Sequence, residues 1–276
     1  MSAARSPSVK KSQPRTPIFQ DTLEDKQFAT TLARGLEILR CFTPDKPVLG
    51  NKDLADATGL PKATVSRFTY TLTKLGYLRS AQNQHKHQLG SAVLSLGYPL
   101  LATMYVRQVA RPHMTDLANE VGGAVAMGIR DRLNIVYVEA SRSQALFVPP
   151  YTEIGYSHPI AATSIGRAYL GISDAEKRTA IMNEIRVKRP QEWARYHTSI
   201  TRSLKDFHRL GFCISSDFFR PNIYGVGVPL RRAVDGEVIV FNCAVYADRV
   251  SFSQLESHVG PRLLAMSRRV ENALDR

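Results

Sequence analysis

Along the first 90 residues apolar positions return every three or four steps, and between proline and glycine punctuation these stretches read as helices. In TLARGLEILRCF (31–42), Leu32, Leu36, Leu39 and Phe42 share one face, and Pro44 and Pro47 then end the helix. A short helix is expected from about Lys52 to Thr58, stopped by Gly59. The next begins almost at once in LPKATVSRFTYTLTKLGYL (60–78). Here Val65, Phe68, Leu72 and Leu75 recur at steps of three, four and three, which places them on the inward face. Pro61 suits a first helical turn and Gly76 the left-handed position just past the end. At about 100° per residue the opposite side collects Ala63, Ser66, Arg67, Tyr70 and Lys74, with no acid among them. Two helices joined around a glycine form the helix-turn-helix pattern. The following YLRS, AQNQHKH and QLG read as two short strands around a basic turn, a wing.

From Ser91 to Val121 the period is helical again, interrupted near Pro99 and Pro112: a connecting helix and then the first helix of a second domain. VAMGI, NIVYVEA and ALFV are rich in β-branched and aromatic residues and read as strands, as do FCISSDFF, YGVGVPL and VIVFNCAVY. Helices are expected at about 163–171, 174–186 and 200–210, the second opened by Ser173 and Glu176 in capping-box spacing; Ser251 with Gln254 caps a final one. Strands mixed with helices without strict alternation argue for an α+β domain, and no internal repeat is visible. The boundaries that follow are a disordered basic tail at 1–25, a winged helix-turn-helix at 26–90, a linker helix at 91–106 and a second domain at 107–276.

Composition narrows the partners. The chain is 43% hydrophobic and 22% charged, as globular proteins are, and carries a formal net charge of +13. The first 90 residues hold 14 Lys+Arg against 7 Asp+Glu, so the more basic part is the one with the helix-turn-helix. Such a balance favours polyanions, nucleic acid first among them. Cys41, Cys213 and Cys243 are odd in number and far apart, without a C-x-x-C pair, so neither disulfides nor a zinc site is expected, and a reducing cytoplasm fits. The longest apolar run, 93–106, is too short for a bilayer, and the start lacks the apolar core of a secretory signal. No cofactor and no membrane partner is expected.

The acid-free helix face in a basic surround points to double-stranded DNA. A helix of this kind enters the major groove, where Ser66, Arg67, Tyr70 and Lys74 meet base edges or phosphates. Lys62 and Thr64 near its start are placed for phosphates, helped by the helix dipole, and Arg79, Lys86, His85 and His87 for the backbone beside the wing. For the histidines themselves a solvated turn is the simpler reading, since nothing nearby completes a metal site. The rival class is an enzyme: a hydrolase-like activity on the second domain, using Asp217 with His158 or His208, with the winged helix as an accessory. No G-x-S-x-G elbow, P-loop or H-E-x-x-H supports it. A non-specific DNA coater is a third reading.

FATTLARGLEILRCF, LADATGLPKATVSRFTYTLTKLGYL, LGSAVLSLGYPLL and HPIAATSIGRAYL, in that order, resemble the IclR family of bacterial transcriptional regulators over about residues 26–275. The resemblance implies a winged helix-turn-helix that dimerises, or pairs into a dimer of dimers, a linker helix, and a GAF-like domain binding a small organic effector. Carried over by position, the effector pocket includes Ser164 and Ile165, Ser215 and Ser216, Gly225, and Asn242 with Ala244. N–H groups at the turn into ATSIGRAYL suit a carboxylate, although Ser164 has the alternative role of a plain helix N-cap. Phe218 and Asn222 stand where many members have an acid and then a glycine, and Tyr224 where an arginine is common. These departures imply a more apolar or aromatic pocket, for an aromatic acid or its ester.

Overall fold

A computed structural model of the chain describes residues 26–81, 85–144, 152–216 and 222–275. The expected tail at 1–25, the ALFV strand and the stretch holding Asp217 and Phe218 lie outside them. The chain divides into two compact units, Met1–Leu100 and Leu101–Arg276.

In the first unit three helices, α1 (Thr30–Arg40), α2 (Asn51–Thr58) and α3 (Lys62–Lys74), pack on a small sheet. Its strands are β1 (Leu49–Gly50), β2 (Leu78–Ser80) and β3 (Lys86–Leu89), antiparallel in the order β1-β3-β2. The two wing strands are therefore joined by a third, a two-residue piece too short to show a pattern. Gly59 closes α2 in the left-handed region at φ 71° and Gly76 follows α3 at φ 78°, as their positions require.

The core of this unit holds Ile38, Phe42, Leu49, Leu54, Val65, Leu72 and Leu78. The shared face of α1 packs only in part: Leu32 and Leu36 are exposed, while Ile38 and, just past the helix, Phe42 carry the packing. One expected inward face needs correction. On α3, Leu75 is exposed because the helix has ended there, while Thr69 is buried in the apolar row instead. α4 (Ser91–Thr103) buries none of its residues, and Pro99 lies inside it without ending it. The break comes at Met104, ahead of α5 (Tyr105–Val121), which likewise contains Pro112.

The second unit is built on an antiparallel sheet of order β6-β5-β4-β9-β8-β7. The strands are β4 (Ala124–Asp131), β5 (Asn134–Arg142), β6 (Ser157–Pro159), β7 (Cys213–Ser215), β8 (Ile223–Pro229) and β9 (Val240–Tyr246). One face packs with α5 and α10 (Gly260–Leu274) around Met114, Leu117, Val226, Phe241 and Met266. The other packs with α6 (Ser164–Ile172), α7 (Ala175–Lys188) and α8 (Pro190–Leu210) around Ile135, Tyr137, Ile165, Tyr169 and Ile200. The α+β expectation holds, with details revised. α8 begins ten residues earlier than its pattern suggested, opened by Pro190 in its first turn. The cap of α7 is Asp174, which accepts from the Lys177 N–H at 2.7 Å, rather than Ser173. Ser251 and Gln254 do form the expected reciprocal capping box, on the short α9 (Phe252–Gln254).

Candidate functional site

In the first unit α3 turns Ser66, Arg67, Tyr70 and Lys74 to solvent, with Tyr70 66% exposed. A large aromatic ring thus stands in solvent on an otherwise polar face. The Lys74 ammonium sits 5.5 Å from the Tyr70 ring centre, a cation–π pair that stiffens both side chains. Lys62 is exposed and Thr64 half-buried at the helix start.

Between α3, the start of α2 and the wing lies an open groove of about 630 Å³, lined among others by Lys52, Ser66, Tyr70, Ser80 and Lys86. It brings together Ser66, Tyr70, His85, Lys86 and His87 of the sequence-predicted residues. Lys62, Thr64, Arg67, Lys74 and Arg79 stand outside its lining. Asn51, Lys52, Thr69 and Ser80 line it too and were not singled out from the sequence. His87 is not a solvated turn residue: its Nε2 lies 3.2 Å from Asn51 Oδ1, and burial lowers its pKa below the ordinary histidine value.

In the second unit the effector candidates converge. Thr163, not Ser164, caps α6, its hydroxyl accepting from the Gly166 N–H. Ser164 is left to donate from Oγ to Asn242 Oδ1 at 2.8 Å, a fully buried bond. Asn242 Nδ2 in turn donates to the Tyr137 hydroxyl at 3.1 Å. Gly225 lies against this chain, and it pairs with Ser215 on one side and Ala244 on the other, so three candidates sit side by side across β7, β8 and β9. Ser216 follows half-buried. Ile165 differs: its side chain is fully buried and belongs to the core between α6 and the sheet.

Tyr137 and His158 were missed as partners of this cluster. Their ring centres are 4.4 Å apart, with Tyr156 5.3 Å from His158 on the other side. Burial pushes the Tyr137 phenol well above its ordinary pKa, so it stays protonated. It accepts from Asn242, and among the described residues its own O–H has no acceptor. His208, the other hydrolytic candidate, is exposed on α8. Among the described residues no group of three or more His, Cys, Asp or Glu is placed to hold a metal, and no helix is long and apolar enough to cross a membrane.

Comparison with known proteins bears on both units. Residues 31–81 match the model of the IclR helix-turn-helix domain. Residues 99–272 match that of the bacterial transcriptional regulator IclR C-terminal region. The chain is 35% identical over 238 residues to the HTH-type transcriptional regulator TsaQ1/TsaQ2 of Comamonas testosteroni, covering 86% of this chain and 85% of that protein. It is 24% identical over 262 residues to the p-hydroxybenzoate hydroxylase transcriptional activator of Acinetobacter baylyi, covering 93% and 96%. Among solved structures, an IclR family transcriptional regulator from Brucella abortus superposes with a TM-score of 0.81 at 41% identity, covering 91% of this chain and 94% of that one.

Proposed function

The chain belongs to the IclR family of bacterial transcriptional regulators and is a regulator rather than an enzyme; we propose that it reads operator DNA through α3 and the wing and answers to a small aromatic carboxylic acid held beside Ser164, Asn242 and Tyr137. The observation that carries the DNA reading is the acid-free outward face of α3, with Ser66, Arg67, Tyr70 and Lys74 all exposed. Arg67 supplies base recognition and Lys62, Thr64, Arg79 and Lys86 supply the backbone. In this reading 26–90 is the DNA-binding domain, 91–106 the linker and 107–276 the effector domain of a cytoplasmic protein.

Effector chemistry follows from the second cluster. The protonated, unspent Tyr137 hydroxyl and the first N–H groups of α6 suit a carboxylate, and the rings of Tyr137, His158 and Tyr156 suit an aromatic body. The relative named as an activator for p-hydroxybenzoate hydroxylase supports the same class. Assembly as a homodimer or dimer of dimers is supported by the apolar surface of α4, where Leu94, Leu96, Tyr98 and Leu100 are all exposed.

The ligand acts at the end of α4. Glu139 on β5 holds Arg107, and Arg107 donates to the Leu101 carbonyl at 2.6 Å, just before the helix break. A shift of β5 at Tyr137 therefore reaches the segment that leads toward the DNA-binding unit. Footprinting of the gene's own upstream region with and without benzoate-type acids tests the whole reading. A ligand-dependent protected site is expected, along with a raised melting temperature for aromatic but not short aliphatic acids. Stabilisation by the aliphatic acids alone overturns the aromatic preference, and equal binding to random duplex overturns operator reading.

A further inference from the structure

At the floor of the groove in the DNA-binding unit, three residues distant in sequence meet. Asn51 Oδ1 lies 3.2 Å from the Thr69 hydroxyl, whose single proton it shares with the Ser66 carbonyl at 3.1 Å, and 3.2 Å from His87 Nε2. Asn51 opens α2 directly after β1, Thr69 is the buried polar residue of α3, and His87 lies on the central strand of the wing sheet. The amide thus ties α2 to α3 and to β3.

The orientation of that amide follows from His87. Its Nδ1 is sealed from solvent and has no hydrogen-bond partner. A proton there would leave a buried donor unsatisfied, so the single ring proton sits on Nε2 and points at Asn51 Oδ1. Burial, which lowers the pKa, favours the same neutral ring. With Oδ1 taking the His87 Nε2 proton and a share of the single Thr69 proton, Nδ2 is the other end of the amide, and among the described residues it has no acceptor. Lys52, Ser66, Ser80 and Lys86 line the groove with it. The one acid there, Asp53, is engaged with the Gly50 N–H at 2.9 Å.

We infer that Asn51 is a DNA-contacting residue, its amide nitrogen donating to a backbone phosphate seated in the groove between α3 and the wing, with Thr69 and His87 as positioning residues that fix the amide in that orientation. The inference rests on the DNA reading above. A phosphate contact is sequence-independent, and an uncharged donor releases no counterion of its own, so Asn51 contributes affinity without adding to the salt slope.

The experiment is a binding titration of the full chain on a duplex from its own upstream region and on a scrambled duplex, at several salt concentrations. Asn51→Ala is expected to weaken both about tenfold with an unchanged salt slope. Thr69→Val and His87→Leu, which free the amide to turn, are expected to reproduce part of that loss. Asn51→Asp keeps the acceptor toward Thr69 and His87 and replaces the donor by an oxygen that repels phosphate. It therefore loses more than Asn51→Ala while melting closer to the parent, which separates contact from folding. If Asn51→Asp and Asn51→Ala bind like the parent while Arg67→Ala and Lys86→Ala do not, the role of Asn51 is overturned and the DNA reading stands. If none of the four weakens binding, the DNA reading itself has failed.

Discussion

Tyr137 and Glu139, two residues apart on β5, face opposite sides of the sheet. Tyr137 pairs with Gly128 and Glu139 with Met127, so Val138 is an extra residue that breaks the alternation. Tyr137 consequently reaches Asn242 in the effector cluster, while the Glu139 carboxylate, 4% exposed, meets Arg107 at 3.1 Å and Arg111 at 2.7 Å on α5. The bulge makes one short stretch of strand touch both the proposed ligand and the start of α5.

That geometry ranks three substitutions. Glu139→Gln leaves the nearly buried Arg107 guanidinium without its countercharge, and breaking such a pair costs roughly 3 kcal/mol. Arg111 is 56% exposed, so Arg111→Ala is expected to cost only about 0–1 kcal/mol. Arg107→Ala should resemble Glu139→Gln and also blunt the effect of ligand on DNA binding. Urea titration of the three variants gives the order, and an Arg111→Ala loss as large as that of Glu139→Gln contradicts it.

Gly225 tests the effector cluster from the backbone side. A β-carbon there would come within 2.7 Å of Ser164 Oγ, which its bond to Asn242 holds in place. Gly225→Ala should therefore expel the serine hydroxyl and abolish stabilisation by aromatic acids. Ser164→Ala alone leaves Asn242 Oδ1 unpaired in a buried site, at about 1–3 kcal/mol. The double variant is expected to cost less than the two separately, because removing the hydroxyl makes room for the new methyl. Additive losses in a denaturant series would show that the two sites do not meet.

What was legible from the sequence depended on range. The outward face of α3 could be read because hydroxyls and cations recur there with helical period, and every residue assigned to it is exposed. Periodicity did not say which half of an apolar stripe packs, so Leu75 was placed inside wrongly and the exposure of Leu32 and Leu36 was not foreseen. β1 and β6, with two and three residues, are too short for any period to register. Ser164 and Asn242 came from the family resemblance, since no local signal links residues 78 apart. Tyr137 and the Asn51–His87 pair are non-local in the same way, and nothing in the resemblance pointed to them.

Acidification should act on the DNA-binding unit through His87. The His87 pKa is lowered in the fold relative to about 6.5 when unfolded, so between the two values the unfolded chain binds more protons. The contribution of neutral His87 is therefore complete above about pH 6.5 and is lost as pH falls through the lower folded value. Melting of the full chain at pH 7.5 and 5.5 is expected to show a drop that His87→Gln reduces. An identical drop in the variant removes His87 as its source.

Arg67 and Lys86 separate base reading from backbone holding. Arg67 is exposed on the outward face of α3, and in the proposed reading its guanidinium pairs bidentately with guanine. Arg67→Ala is expected to cost about 1–3 kcal/mol on the operator and to relax base preference at one position. Lys86, exposed on the wing strand beside the groove, is a point charge for phosphate. Lys86→Ala should weaken operator and random duplex alike and reduce the salt slope by about one. Titrations on both duplexes at graded salt distinguish the two. Should Arg67→Ala lose the same on random DNA as on the operator, its arginine holds the backbone and sequence must be read by Ser66 or Tyr70.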